Sequence, residues 1–308
     1  MKRKVLIFGI NGFVGKYLAR EMLDAGYIVY GSDIGKSLNM PSEVNYTEIN
    51  LLDMERVQEN ITDISPDIVI NLVAISNVGL SWNNPQKTVL VNVIGAINIM
   101  EALKNRNDKT KIMFIGSSEE YATSFFPINE TSMLDSNNPY GISKITQERF
   151  ARLYREQYGM NIYCVRSFNH TGVGQEERFV LPSFCKQAAK IKKSGKSGSI
   201  ITGNLNVKRD FTHVKDVVRA YRMIIENGNC EKIYNVGFGR AYGLDELLKY
   251  VINMSGQDIT VKIDQKRIRQ AEQPFICCDN SLIKKELGWE PEYTVFDALD
   301  ELFESYIK

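Results

Sequence analysis

The sequence predicts an open α/β fold: a parallel sheet doubly wound by helices on both faces, with a smaller region on its C-terminal edge. Three observations carry this. Short apolar runs alternate with longer helical stretches as far as Phe168. The runs are apolar nearly throughout rather than at every second position, as in strands buried on both faces. A glycine-rich turn joins the first run to the first helical stretch.

In order, the strand candidates are KVLIFG (4–9), IVYGSD (28–33), VNYTEI (44–49), DIVINLVA (67–74), KIMFIG (111–116) and NIYCVRSF (161–168). Helical candidates lie between them at 13–25, 53–63, 85–105 and 139–158, the alternation of a parallel sheet with crossover helices. The helix from Pro85 is apolar almost all round (TVLVNVIGAINIMEAL), which calls for burial on more than one side. Past Phe168 the rhythm breaks into short pieces, among them FVLPSFCKQAAKI, SGSIITG, VKDVVRAYRMIIE, KIYNVG and LDELLKYVINM. We expect residues 1–168, with part of 205–240, to form the sheet domain, and residues 169–308 to form a region that covers a substrate.

The chain has 308 residues, 44% hydrophobic and 24% charged, which suits a globular protein. Lys and Arg number 38 against 37 Asp and Glu, so no charge excess favours nucleic acid or an anionic membrane as a partner. The start, MKRKVLIFGINGFVG, is basic then apolar, but glycines cut the run too short for a signal sequence. No window approaches the roughly 20 apolar residues of a membrane span. The five cysteines, at 164, 185, 230, 277 and 278, form no CxxC pattern, and His170 and His213 are the only imidazoles, which argues against a zinc site. An odd cysteine count without an export signal points to a reducing cytoplasm.

The first turn reads Gly9-Ile-Asn11-Gly12-Phe13-Val14-Gly15, a GxxGxxG spacing between a strand and a helix. Glycines there let the backbone approach a pyrophosphate seated on the helix N-terminus. Asp33 ends the second strand, where an acid accepts the hydroxyls of an adenosine ribose. The residues after it are Ile34, Gly35 and Lys36, with no arginine, and a 2′-phosphate would be repelled by the carboxylate. The expected cofactor is therefore NAD(H) in preference to NADP(H). Asn50 and Leu51, after the third strand, are placed to frame the adenine; Asp53 fits that role or a plain helix cap equally well.

NNPYGISK (137–144) carries the chemistry. Pro139 suits a first helical turn and Asn138 its cap. Tyr140 and Lys144 then lie four apart on one face. A nearby ammonium lowers a phenol's pKa, making a proton donor for a carbonyl or a base for an alcohol. IGSSEEYA (115–122) ends the fifth strand with two hydroxyls followed by two acids.

The glycine turn, Ser117 and the Tyr140/Lys144 pair together resemble the extended short-chain dehydrogenase/reductase superfamily, over the whole chain. The resemblance implies a Rossmann domain and a triad of Ser117, four residues before Tyr121, with Tyr140 and Lys144. It extends the cofactor surface over Leu72, Val73, Ala74, Asn92 and Phe168. Lys144 would reach the nicotinamide ribose, and Asn92 would tie backbone near the cofactor. In nucleotide-sugar 4,6-dehydratases of this superfamily a Glu at the position of Glu119 removes a sugar proton. The stretches VRSFNHTGVGQ (165–175), GNLNVKRDFTHVKDVVRAY (203–221) and KIYNVGFGRAYGLDELL (232–248) are similar to the GDP-mannose branch, and within it to the GDP-4-dehydro-6-deoxy-D-mannose reductases. Those reductases also carry GSSEEY. The dehydratases of the branch are usually longer and follow strand 2 with an arginine-rich segment unlike DIGKSLNMPSE.

The implied substrate is a GDP-linked 4-keto-6-deoxy sugar, reduced at C4 to GDP-D-rhamnose; the alternative is a 4,6-dehydratase or epimerase. By the same resemblance Asn169 contacts the sugar-phosphate side, Arg209 and Arg269 bind the diphosphate, and Glu272 takes the ribose hydroxyls, with Gln270 where the family has proline. Ser76, Ser81, Ser118, Glu119, Val180 and Lys186 would complete the substrate surface beside Ser117. A plain ion pair with Asp210 is the competing role for Arg209, and the two histidines read as packing or loop residues. The helices at 85–105 and 139–158 carry more apolar surface than one sheet face covers. In this superfamily they pair with their symmetry mates as a four-helix bundle, so a homodimer is expected.

Overall fold

The computed structural model describes residues 2–36, 40–106, 109–268 and 273–308. The chain runs through β1 (Lys4–Phe8), α1 (Phe13–Asp24), β2 (Ile28–Asp33), β3 (Asn45–Glu48), α2 (Met54–Ile64), β4 (Ile68–Asn71), α3 (Val78–Asn83) and α4 (Pro85–Val89). α4 continues through a π turn (Leu90–Ile94) into α5 (Gly95–Leu103), followed by β5 (Lys111–Ser117), α6 (Pro139–Tyr158) and β6 (Asn161–Ser167). The remainder comprises β7 (Asn169–Thr171), α7 (Val180–Ser194), β8 (Gly198–Thr202), β9 (Lys208–His213), α8 (Val214–Asn227) and β10 (Ile233–Val236). Last come β11 (Ala241–Gly243), α9 (Leu244–Ser255), β12 (Ile259–Ile263), β13 (Phe275–Ile276), α10 (Ser281–Leu287) and α11 (Val295–Ile307).

Seven parallel strands form the main sheet in the order β10-β6-β5-β4-β1-β2-β3. Alternate residues of one strand feed opposite faces. Val5 and Ile7 join Leu18, Met22, Val217 and Ile224 in the core under α1 and α8. Leu6 and Phe8 join Val57, Ile61, Ile99 and Met100 in the core under α2 and α5. Both faces are covered over the inner strands, which is why β1 and β4 read as unbroken apolar runs. The strand order reverses between β1 and β4, the crevice where open α/β sheets bind ligands beyond the carboxyl ends of their strands.

Two small sheets lie outside this one, β11-β9-β13 with β7 on β9, and β12-β8. A third core fills between α7, α9 and α11. Among the described residues no helix is long and apolar enough to cross a membrane.

Two local features depart from the sequence reading. The stretch expected as one helix over 85–105 contains the π turn, and a separate helix, α3, precedes it. Asn92 explains the irregularity. Its amide accepts from the Ile75 amide at 2.8 Å and donates to Ser143 Oγ at 2.9 Å, so the helix widens where one side chain ties two other elements.

Candidate active site

β1 ends at Phe8 and the chain turns at Gly9, whose φ of 82° and close approach to β4 both exclude a side chain: a Cβ would lie 2.9 Å from Val73 N. At Gly15 a Cβ would lie 2.4 Å from the Ile10 carbonyl oxygen, so only glycine lets α1 press onto the turn. Gly12 opens α1 and no side chain caps its free amides. With Asn11, Phe13 and Val14 this is a cradle that fits a pyrophosphate.

Asp33 stands beside it. Its Oδ2 accepts the Asn11 amide at 3.0 Å and its Oδ1 the Ile34 amide at 2.8 Å. Burial pushes its carboxyl up, and the two amides oppose that shift. The Tyr46 hydroxyl donates to the carbonyls of Asp33 (3.3 Å) and Gly35, fixing the end of β2.

Leu72, Val73 and Ala74 follow β4 along the same crevice; the Leu72 amide donates to Phe8 O and the Val73 amide to Asn71 Oδ1. Asn50 and Leu51 are engaged elsewhere. Asn50 Oδ1 accepts the Leu52 amide in a tight turn, and Leu51 is buried in the α2/α5 core, its carbonyl taking Asn98 Nδ2 at 2.7 Å. Of the two roles open to Asp53, the structure shows the cap: its side chain accepts from Arg56 N. Phe168 is likewise buried, packed with Tyr121, Ile128 and Ile276.

Ser117 is the last residue of β5 and caps a 3-10 turn over Ser118–Glu120, its Oγ accepting the Glu119 amide at 3.2 Å. Ser118 is buried in that turn. Tyr140 enters from the first turn of α6, 8% exposed, with the Ser117 side chain near enough to act on its phenol. Ser81 braces it from behind: Ser81 Oγ accepts the Tyr140 amide at 3.2 Å and donates to Val78 O at 2.7 Å. Ser81 therefore sits fully buried beneath the site, an anchor for α6. Gly141 permits the close approach, since a Cβ there would lie 2.2 Å from the Glu119 carbonyl.

Lys144 differs from the expected arrangement. Its Nζ donates to Ile115 O at 2.7 Å and to Gln147 Oε1 at 3.0 Å. Burial lowers its pKa to about 8, opposed by the Glu120 carboxylate. The Tyr140 phenol is not lowered: burial pushes it well above its ordinary value, the Ser117 side chain works against this, and Glu120 and Glu119 add to it. Desolvation outweighs any help from the lysine, because a phenolate here would lose water on every side. The result is a phenol that keeps its proton at neutral pH.

Glu119 reaches the same place from the turn. Its Oε2 accepts from Asn138 Nδ2 at 2.9 Å, while Asn138 Oδ1 caps α6 through the Gly141 amide at 2.9 Å.

On the other side of the crevice Asn169 begins β7, opposite Phe211 of β9. Arg209 is buried on β9 and its Nη1 donates to Lys208 O at 2.9 Å. The neighbouring Asp210 carboxylate accepts the amides of Phe238, Gly239 and Cys278, at 2.9, 2.8 and 3.0 Å, so its role is to knit loops. Val180 starts α7 against the third core, and Lys186 pairs with Glu177 on the surface. Ser76 is exposed in the loop after β4. Arg269 and Glu272 lie outside the described residues. His213 caps α8 and contacts Glu301 at 3.2 Å, and His170 stacks on Phe13 with 6.2 Å between ring centroids.

The model of the family GDP-mannose 4,6 dehydratase matches residues 6–302. The chain belongs to this family. Among curated proteins it is 28% identical over 302 residues to the GDP-6-deoxy-D-mannose reductase of Pseudomonas aeruginosa, covering 97% of this chain and 95% of that one. It is 29% identical over 350 residues to the GDP-mannose 4,6-dehydratase of Vibrio cholerae serotype O1, covering 99% and 93%. The solved structure of RMD from Pseudomonas aeruginosa complexed with NADPH superposes with a TM-score of 0.86 at 26% identity, covering 99% of each chain.

Within this GDP-mannose 4,6 dehydratase family member, the sequence reading passed over Glu120. Ser117 and Glu120 form a capping box, and the S-x-x-E spacing of Ser117-Ser118-Glu119-Glu120 was a usable signal for it. Its partner network was not legible. Arg166 on β6 forks onto Glu148 of α6 at 2.9 and 2.6 Å and donates to the Tyr121 hydroxyl at 2.9 Å.

Proposed function

We propose that this protein reduces the C4 ketone of a GDP-linked 4-keto-6-deoxy-D-mannose to GDP-D-rhamnose, with NADH as the preferred hydride donor. The observation that carries the reading is the Ser117–Tyr140 pair: two hydroxyls brought together at the end of β5 and the start of α6, with the phenol held protonated by burial. A carbonyl receiving hydride needs a proton, and a buried phenol is a donor already in place. Ser117 holds the ketone oxygen and Tyr140 gives it the proton. The nicotinamide supplies the hydride when bound; the Gly9–Gly15 turn would hold the cofactor's pyrophosphate and Asp33 its adenosine ribose. Asp33, without an arginine after it, supports the choice of NADH over NADPH. Asn169 and Arg209 are the substrate contacts we propose on the opposite side, with Arg209 taking the diphosphate.

Reduction is preferred to dehydration because the match to the reductase runs over 302 positions, whereas the match to the Vibrio dehydratase runs over 350, more than the whole chain. Glu119 supports the second reading, a dehydratase in which its carboxylate is the base. The deciding assay supplies purified protein with NADH and the 4-keto sugar and identifies the product.

The active form we propose is a homodimer in the reducing cytoplasm; all five cysteines are free. Leu90 and Ile94 on the α4–α5 helix and Ile142 and Leu153 on α6 leave 48%, 38%, 51% and 53% of their surfaces exposed. Pairing of these helices across a twofold axis would cover them.

A further inference from the structure

Behind Ser117 and Tyr140 lies a carboxyl that the proposed reaction leaves unused. Glu120 is fully buried; its Oε1 accepts the Ser117 amide at 2.6 Å, and its Oε2 has no hydrogen-bond partner among the described residues. Gly116 makes room for it, since a Cβ there would lie 2.3 Å from Glu120 Oε1.

The charged and titratable groups facing Glu120 come from three elements. β6 presents Arg166, with Nε 3.7 Å from Oε2, and Cys164. α6 presents Glu148, Lys144 and Tyr140, and the turn itself presents Glu119, which shares Tyr140 with Glu120 as a target. The Arg166 guanidinium is shared: it forks onto Glu148 and also stands over Glu120 Oε2. The Lys144 ammonium, by contrast, donates to two uncharged oxygens, of Ile115 and Gln147. Glu120, which Arg166 also faces, is the carboxylate whose charge favours that ammonium.

We propose that Glu120 is a positioning residue for this site: it seats Ser117 through the backbone amide and supplies the counter-charge that keeps Lys144 an ammonium. The proposal rests on the reading that Ser117, Tyr140 and Lys144 form the reacting centre. Burial pushes the Glu120 carboxyl up and the Lys144 ammonium down, so the two titrations converge. As pH rises, ionisation of Glu120 strengthens the hold on the Lys144 proton. Without the carboxylate, Lys144 becomes neutral at a lower pH.

Glu120→Gln keeps an oxygen for the Ser117 amide and removes the charge. In protein with ¹⁵N-labelled lysines, the Lys144 pKa read by side-chain NMR should fall by about one unit or more. The alkaline limb of kcat should move down with it, while KM for NADH and the melting temperature stay close to wild type. Glu120→Asp keeps the charge on a shorter arm: the limb should stay in place while kcat drops through loss of the Ser117 seat. A Lys144 pKa unchanged in folded Glu120→Gln would overturn the proposal and leave Glu120 a packing partner of Arg166. Should the Gln variant not fold, Glu120→Asp decides alone, since a kcat equal to wild type or a displaced limb contradicts it. The NMR arm needs no turnover, so a wrong substrate assignment would show in the assay and leave the Lys144 titration intact.

Discussion

Tyr140 owes its chemistry to burial more than to its neighbour four residues on. The spacing to Lys144 was legible because residues four apart share a helix face. The direction of the phenol's shift was not, because it depends on elements folded over it, among them α3, which no sequence signal marked. Tyr140→Phe removes the hydroxyl and little else. We expect kcat to fall on the order of 10²-fold or more with NADH binding nearly unchanged, measured by NADH oxidation and by fluorescence titration. The pH dependence follows from Lys144: its ammonium is present below about 8 and lost above it, so turnover should decline as pH rises through that value. At the cofactor end, Asp33 accepts two backbone amides and Ile34 is exposed beside it. Asp33→Ser with Ile34→Arg removes a repulsive charge and adds a phosphate partner. The kcat/KM ratio for NADH over NADPH should then flatten or reverse; a wild type that prefers NADPH would contradict the premise.

At the scale of elements, strands β1, β4, β5 and β6 were readable because two-sided burial leaves a largely apolar run, whereas β2 and the edge strand β3, NYTE, are more polar and less buried; the main helices were readable because their caps and periodicity agree. What the sequence hid has physical causes. α3 is one and a half turns long, too short for a periodic signal, and is defined by its Asn77 cap. The π turn keeps the apolar composition of the helix around it, and only the contacts of Asn92 reveal it. The three-residue β7 and β11 pair with β9 from distant parts of the chain, where no local pattern records the partner. The glycine turn was legible in position, and the structure adds the reason at Gly9 and Gly15: a Cβ there would strike backbone, which cannot move aside. Gly15→Ala should therefore cost about 1–3 kcal/mol, read by urea unfolding, and weaken NADH binding, because relief of the clash must lift α1 from the turn.

At the scale of the whole molecule, the exposed apolar positions on α4–α5 and α6 lead us to expect a dimer at micromolar concentration by light scattering; a monomer would remove that assembly. The central claim is that the crevice at the strand reversal reduces a ketone. A reductase consumes one NADH per sugar. A dehydratase returns its hydride to the same sugar and consumes none, and it needs Glu119 as a base; a reductase does not, so Glu119→Gln should retain measurable reduction. The most direct measurement follows NADH absorbance with purified protein, first with GDP-mannose alone and then with GDP-4-keto-6-deoxy-D-mannose. We expect no change in the first case and stoichiometric NADH oxidation in the second, with GDP-D-rhamnose as product. Formation of the 4-keto sugar from GDP-mannose, with no net consumption of NADH, would contradict it.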